Sequence, residues 1–66
     1  MSGQSTFQVW QDGMMVAFTR GPAEQALQEA MHYAQQYATE GPVKIYEGAG
    51  REKVLVAWCE MSRKKP

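Results

Sequence analysis

One histidine, one cysteine and seven carboxylates are the side chains of this 66-residue chain best suited to moving a proton, attacking a carbonyl or holding a metal. His32 has glutamines, Gln28 and Gln36, one helical turn away on either side, whereas a catalytic imidazole needs a carboxylate or a nucleophile within hydrogen-bond reach. The spacing predicts a solvated surface histidine. Cys59 stands alone, so the chain has no internal disulfide and no Cys/His set for structural zinc. It falls in an apolar run, where an inert buried thiol is the default. Glu24, Glu29 and Glu40 flank one element and Glu47 and Glu52 a loop, with no pairing that separates an acid from a base. The Gly48-Ala49-Gly50 stretch leads into a strand pattern, and so lacks the helix amino terminus that lets glycine-rich loops hold phosphate. These residues ask for no catalysis, metal or cofactor, and the expected activity is non-catalytic.

The element that must position everything else is Gly21 to Pro42, which reads as one amphipathic helix. Pro22 suits the first helical position with Gly21 as its cap, and Glu24 complements the dipole in the first turn. Gly41 can end the helix in a left-handed conformation and Pro42 forbids continuation. At about 100° per residue, Ala23, Leu27, Ala30 and Ala34 form a buried stripe with Ala26, Met31, Tyr37 and Ala38 on its shoulders. A stripe made mostly of alanine lets the helix axis lie close to whatever it covers, so the larger apolar groups must come from a sheet.

On either side of the helix the period changes to two. Thr6 to Gln11 and Met14 to Thr19 alternate around Asp12-Gly13, a strong signal for a tight hairpin turn with positive φ at both central residues. The register that follows pairs Gln11 with Met14, Trp10 with Met15, Val9 with Val16 and Phe7 with Phe18. Phe7, Val9, Val16 and Phe18 then face the helix. Val43 to Tyr46 and Val54 to Glu60 read as a second hairpin with a longer, glycine-containing loop. Pairing Ile45 with Leu55 and Val43 with Ala57 sends Val43, Ile45, Leu55, Ala57 and Cys59 to the helix side; a one-residue slip would bring Trp58 into the core instead. The expected fold is α+β: a two-layer ββαββ domain over residues 6–61, a four-stranded, mainly antiparallel sheet with one helix on one face. Residues 1–5 read as a flexible leader and 62–66 as a basic tail. The order of strands stays open.

In this layout the face turned away from the helix carries Trp10, Met15, Ala17, Tyr46, Val54, Val56 and Trp58, more apolar surface than a solvated antiparallel face holds. Tryptophan, tyrosine and methionine are enriched at interface centres. A domain of this size gains only roughly 3–5 kcal/mol from its own core, so the favoured expectation is a homodimer or a protein-binding module using that face. The alternative is single-stranded nucleic acid stacked on the aromatic residues and bordered by Lys44, Arg51, Lys53, Arg63, Lys64 and Lys65. Against it, seven basic and seven acidic residues cancel. No segment reads as a signal peptide or a membrane span of ~20 residues, which predicts a cytoplasmic protein with no membrane partner.

The order of the Trp10-Gln11-Asp12-Gly13 hairpin, the alanine-rich run from Ala26 to Ala34 and the Gly41-Pro42-Val43-Lys44-Ile45-Tyr46-Glu47 strand resembles the small hairpin-helix-hairpin proteins of bacteria and their phages. The likeness is one of layout over Thr6 to Glu60 and carries no catalytic residue. It implies a compact phage or prophage accessory protein acting on a host component.

Overall fold

In a computed structural model, which describes residues 3–60, the chain runs β1 (Gln4–Gln11), β2 (Met14–Pro22), α1 (Ala23–Tyr37), β3 (Val43–Glu47) and β4 (Val54–Cys59). The strands form one antiparallel sheet in the order β2-β1-β3-β4, and α1 packs on one face. This is the α+β ββαββ layout that the periodicities predict. The open question of strand order is answered by β1, which borders β3 and pairs Val9 with Ile45. Both side chains are fully buried, so the strands richest in large core residues occupy the centre. No helix among the described residues is long and apolar enough to cross a membrane.

The first turn forms as its sequence dictates, with φ of 55° at Asp12 and 75° at Gly13. From it the pairing runs Gln11 to Met14 and Trp10 to Met15, as expected, and then departs. Val16 is an extra residue in β2, so Val9 meets Ala17, Gln8 meets Phe18 and Phe7 meets Thr19. Phe18 therefore turns outward, while Ala17, expected on the outer face, packs against the core. The reason lies in the connection: α1 begins as β2 ends, so its first turn passes close above the strand. Threonine fits there, and Thr19 donates its hydroxyl hydrogen to the Ala26 carbonyl at 2.7 Å; a phenyl ring would hold the helix off. Pairing also extends further back than expected, since Gln4 and Ser5, assigned to the leader, meet Pro22 and Gly21. Residues 1–2 and 61–66, including the basic tail, lie outside the described residues.

The second hairpin repeats the device. Val43 pairs with Cys59, Lys44 with Trp58 and Ile45 with Ala57; Val56 is the extra residue, and Tyr46 then meets Leu55. Val43, Ile45, Ala57 and Cys59 are on the helix side as expected. Leu55 is not: the bulge turns it outward. It also moves Val56 and Val54 off the outer face, because Val56 joins Ala57 beside the helix and Val54 pairs with Glu47, which itself lies opposite the buried Phe7.

The helix differs from expectation at both ends and in its buried stripe. Pro22 caps it in an extended conformation (φ −54°, ψ 139°) and Ala23 is its first residue. It stops at Tyr37, and Gly41, with φ 159°, is extended rather than left-handed. The last helical carbonyls are met locally, Ala34 by Ala38 N–H, Gln36 by the Thr39 hydroxyl and Tyr37 by Glu40 N–H, and the Gln11 side-chain amide ties this end to the sheet by donating to the Tyr37 and Gly41 carbonyls at 2.8 and 3.1 Å. The buried stripe is Ala26, Ala30, Ala34 and Ala38, every fourth residue. Leu27 and Met31 lie beside it, half-exposed, on the flank toward β4. The helix lies over β1 and β2 and scarcely reaches β4.

Candidate functional site

Directly opposed residues share a face, so the pairings fix the composition of the helix-free surface. Two rows cross all four strands: Met15, Trp10, Lys44 and Trp58, and beside it Phe18, Gln8, Tyr46 and Leu55. The corners Met15, Phe18, Leu55 and Trp58 are exposed, as is Lys44, whereas Gln8 is buried and Trp10 and Tyr46 are partly buried. Trp10 and Tyr46 meet edge to face at 6.3 Å and 78°, a contact that contributes about 0.5–1.5 kcal/mol beyond the burial itself. The indole N–H of Trp10 donates to Gln8 Oε1 at 2.9 Å, and the buried Gln8 amide donates in turn to the Gly48 carbonyl at 2.9 Å. Gly48 N–H donates to the Thr6 carbonyl at 2.8 Å. The loop after β3 is thus anchored to β1 through both backbone groups of one residue, Gly48.

This anchoring brings the loop over the open face. Lys53 Nζ stands 4.9 Å from the Trp10 ring centre and 5.2 Å from that of Tyr46, a cation over two π faces worth about 0.5–1 kcal/mol where water still reaches it. Between the loop and β2 lies a trough of about 500 Å³, its floor Thr6, Gln8 and Trp10, one wall Met15 and Phe18, the other the loop with Arg51 and Lys53. Gly48 cannot be replaced here without strain: its φ is 122°, and a Cβ would come within 2.6 Å of the Glu52 carbonyl oxygen.

The cations gather on the open side. Every Lys and Arg among the described residues belongs to this surface or its loop: Lys44 in the first row, Arg20 opposite Thr6, and Arg51 and Lys53 along the trough. Glu24 and Glu29 are on the helix, Glu40 just follows it, and Glu47 faces the helix side. Carboxylates are present on both sides, since Asp12 adjoins Trp10 and Lys44, and Glu52 lies between Arg51 and Lys53 in the loop.

Of the expected interface residues, Trp10, Met15, Tyr46 and Trp58 come together on the open face, while Ala17, Val54 and Val56 do not. Lys44, Arg51 and Lys53 of the cation set adjoin them; Arg63, Lys64 and Lys65 lie outside the described residues. Phe18, Leu55 and Arg20 belong to the surface and were not predicted, while Gln8 is on the Trp10 side, as the alternation of β1 implies. A signal for the first two is present: Met14-Met15-Val16-Ala17-Phe18-Thr19 and Val54-Leu55-Val56-Ala57-Trp58-Cys59 share Val-Ala-aromatic at matching places, and each bulge falls on that valine. His32 is exposed on the helix, with Gln36 Nε2 3.2 Å from its Nε2, and Cys59 is half-buried beside the core. No protein-family model, curated protein or solved structure matches the chain.

Proposed function

We propose that this chain is a non-catalytic binding module that grips a protein partner with its open sheet face. One observation carries the reading: four exposed apolar corners, Met15, Phe18, Leu55 and Trp58, surround a centre already fixed by the Trp10, Gln8 and Lys53 contacts. Pre-ordered aromatic centres within an exposed apolar patch are what protein interfaces use, because little side-chain freedom remains to be lost on binding. The cations around the patch favour a partner surface that alternates apolar groups with carboxylates. The layout resemblance supplies a partner class, a host component met by a phage or prophage accessory protein.

Single-stranded nucleic acid is the second reading, favoured by the collection of Arg20, Lys44, Arg51 and Lys53 on one face with the aromatic rings. Lys53 already occupies faces of Trp10 and Tyr46, which leaves Phe18 and Trp58 as the free stacking surfaces. The deciding experiment pairs capture from the source cell with titration against a dT oligonucleotide at several salt concentrations. The protein reading expects one stoichiometric partner, lost with Phe18→Lys and kept with Gln28→Ala on the helix. Oligonucleotide binding that weakens steeply with salt, with no such partner, transfers the face to nucleic acid.

A further inference from the structure

We infer that a second copy of this chain pairs antiparallel along the free edge of β4, in the register that sets Leu55 of each copy against Trp58 of the other. β4 is an edge strand of six residues with neither a charge nor a proline. Proteins rarely leave such an edge bare, since its backbone is a template for further pairing. The other edge, β2, contains Arg20 and Pro22, leads straight into α1, and lies beneath it. Among the described residues β4 is also open at the side: Val54 and Val56 are 64% and 42% exposed, and Val56 lies beside half-exposed Leu27 and Met31.

The bulge identifies the occupant. A regular strand alternates faces, but Val56 breaks the alternation, so Val54 to Cys59 point toward the helix side, outward, helix side, helix side, outward and helix side. That order reads the same in both directions. A two-fold axis through the middle of β4 therefore matches faces at every pair: Val54 with Cys59, Leu55 with Trp58, Val56 with Ala57. An unbulged strand from another protein would fall out of register at Val56, whereas a second copy brings the same extra residue to the same place. One residue beyond each end, Glu60 comes opposite Lys53 of the other copy, two charges of opposite sign. The axis stands perpendicular to the sheet, so both helices lie on one side and the two open faces become continuous.

The register is testable with the native thiol. Val54→Cys places a second cysteine opposite Cys59 of the other copy, and mild oxidation at micromolar concentration should convert the variant into a covalent dimer. The unaltered chain should not cross-link, because its two Cys59 residues would sit at opposite ends of the pair, about 16 Å apart. Light scattering should give a mass of about twice 7.4 kDa, halved by Val56→Lys with the urea midpoint of the isolated chain retained. A stable monomer, a dimer that Val54→Cys fails to trap, or masses that keep growing through pairing of β4 with β2 would each overturn the inference. None of these measurements involves a partner for the open face, so that reading stands or falls separately.

Discussion

The two hairpins of this protein are near copies in backbone and in the facing of their side chains. Phe7 to Gln11 corresponds to Val43 to Glu47, and Met14 to Thr19 to Val54 to Cys59, with a bulge at the same step. Exposure follows the correspondence closely: 65% and 64% at Met14 and Val54, 48% and 43% at Met15 and Leu55, 59% and 63% at Phe18 and Trp58. The β1–β3 pairing is itself symmetric about Val9 and Ile45, so a pseudo-two-fold axis passes through the centre of the sheet. The halves differ in what surrounds them. A two-residue turn joins the first, and a loop that folds back onto Trp10 joins the second. The helix covers the first hairpin and the β3 core residues Val43 and Ile45 but scarcely reaches β4, because it continues directly from β2. Two equivalent hairpins thus acquire different tasks from the elements attached to them.

The largest expected effect tests the two connections. Gly48→Ala combines a positive φ with a backbone collision and should destabilise the fold by about 1–3 kcal/mol in urea unfolding, freeing the loop and changing Trp10 fluorescence. Gly13→Ala, with no atom within 4 Å of the new Cβ, should cost only about 1 kcal/mol. Equal losses would show that the loop is not held as described. Next, Thr19→Val removes the hydroxyl hydrogen bond to the Ala26 carbonyl, which keeps its helical partner, and should lower stability by about 1 kcal/mol, whereas Cys59→Val at the equivalent site should shift it by less than about 0.5 kcal/mol. Similar losses at both sites would remove the helix as the source of asymmetry. Lys53→Ala should cost about 0.5–1 kcal/mol and alter the indole emission of Trp10. Smallest of all, Phe18→Lys should change stability by no more than about 0.5 kcal/mol, its effect confined to binding by the open face.

What the sequence disclosed and what it withheld divide along the range of the interactions. The Asp12-Gly13 turn, the helix between Pro22 and Gly41 and the four strand segments rest on local rules, and all were legible. The face assignments of Phe18, Ala17, Leu55, Val54 and Val56 were not, because each depends on a bulge. Alternation counted through an extra residue puts every side chain beyond it on the wrong face. The bulge in β2 answers to the close passage of α1 over Thr19, a contact absent from any short window of sequence. The buried stripe moved from Ala23 and Leu27 to Ala26 and Ala38 for a related reason: only alanine permits the helix to lie so near β1, and larger residues are displaced to the flanks. Trp10, Met15, Tyr46 and Trp58 were found because their registers lie on the turn side of the first bulge or keep their parity through the second.

The Gln11 side chain, which spans from the end of β1 to the Tyr37 and Gly41 carbonyls, has a kinetic consequence. It closes the segment from β1 through the end of the helix into a ring of contacts complete before β3 is reached, which makes hairpin one with α1 the expected folding nucleus and hairpin two the expected later arrival on the β1 edge. Gln11→Ala should therefore slow refolding in stopped-flow measurements while scarcely changing the unfolding limb, and Ile45→Val, at the later-docking strand, should do the reverse. The order of assembly would be written into the same asymmetry that leaves β4 uncovered: the last strand to arrive is the one with room for another chain.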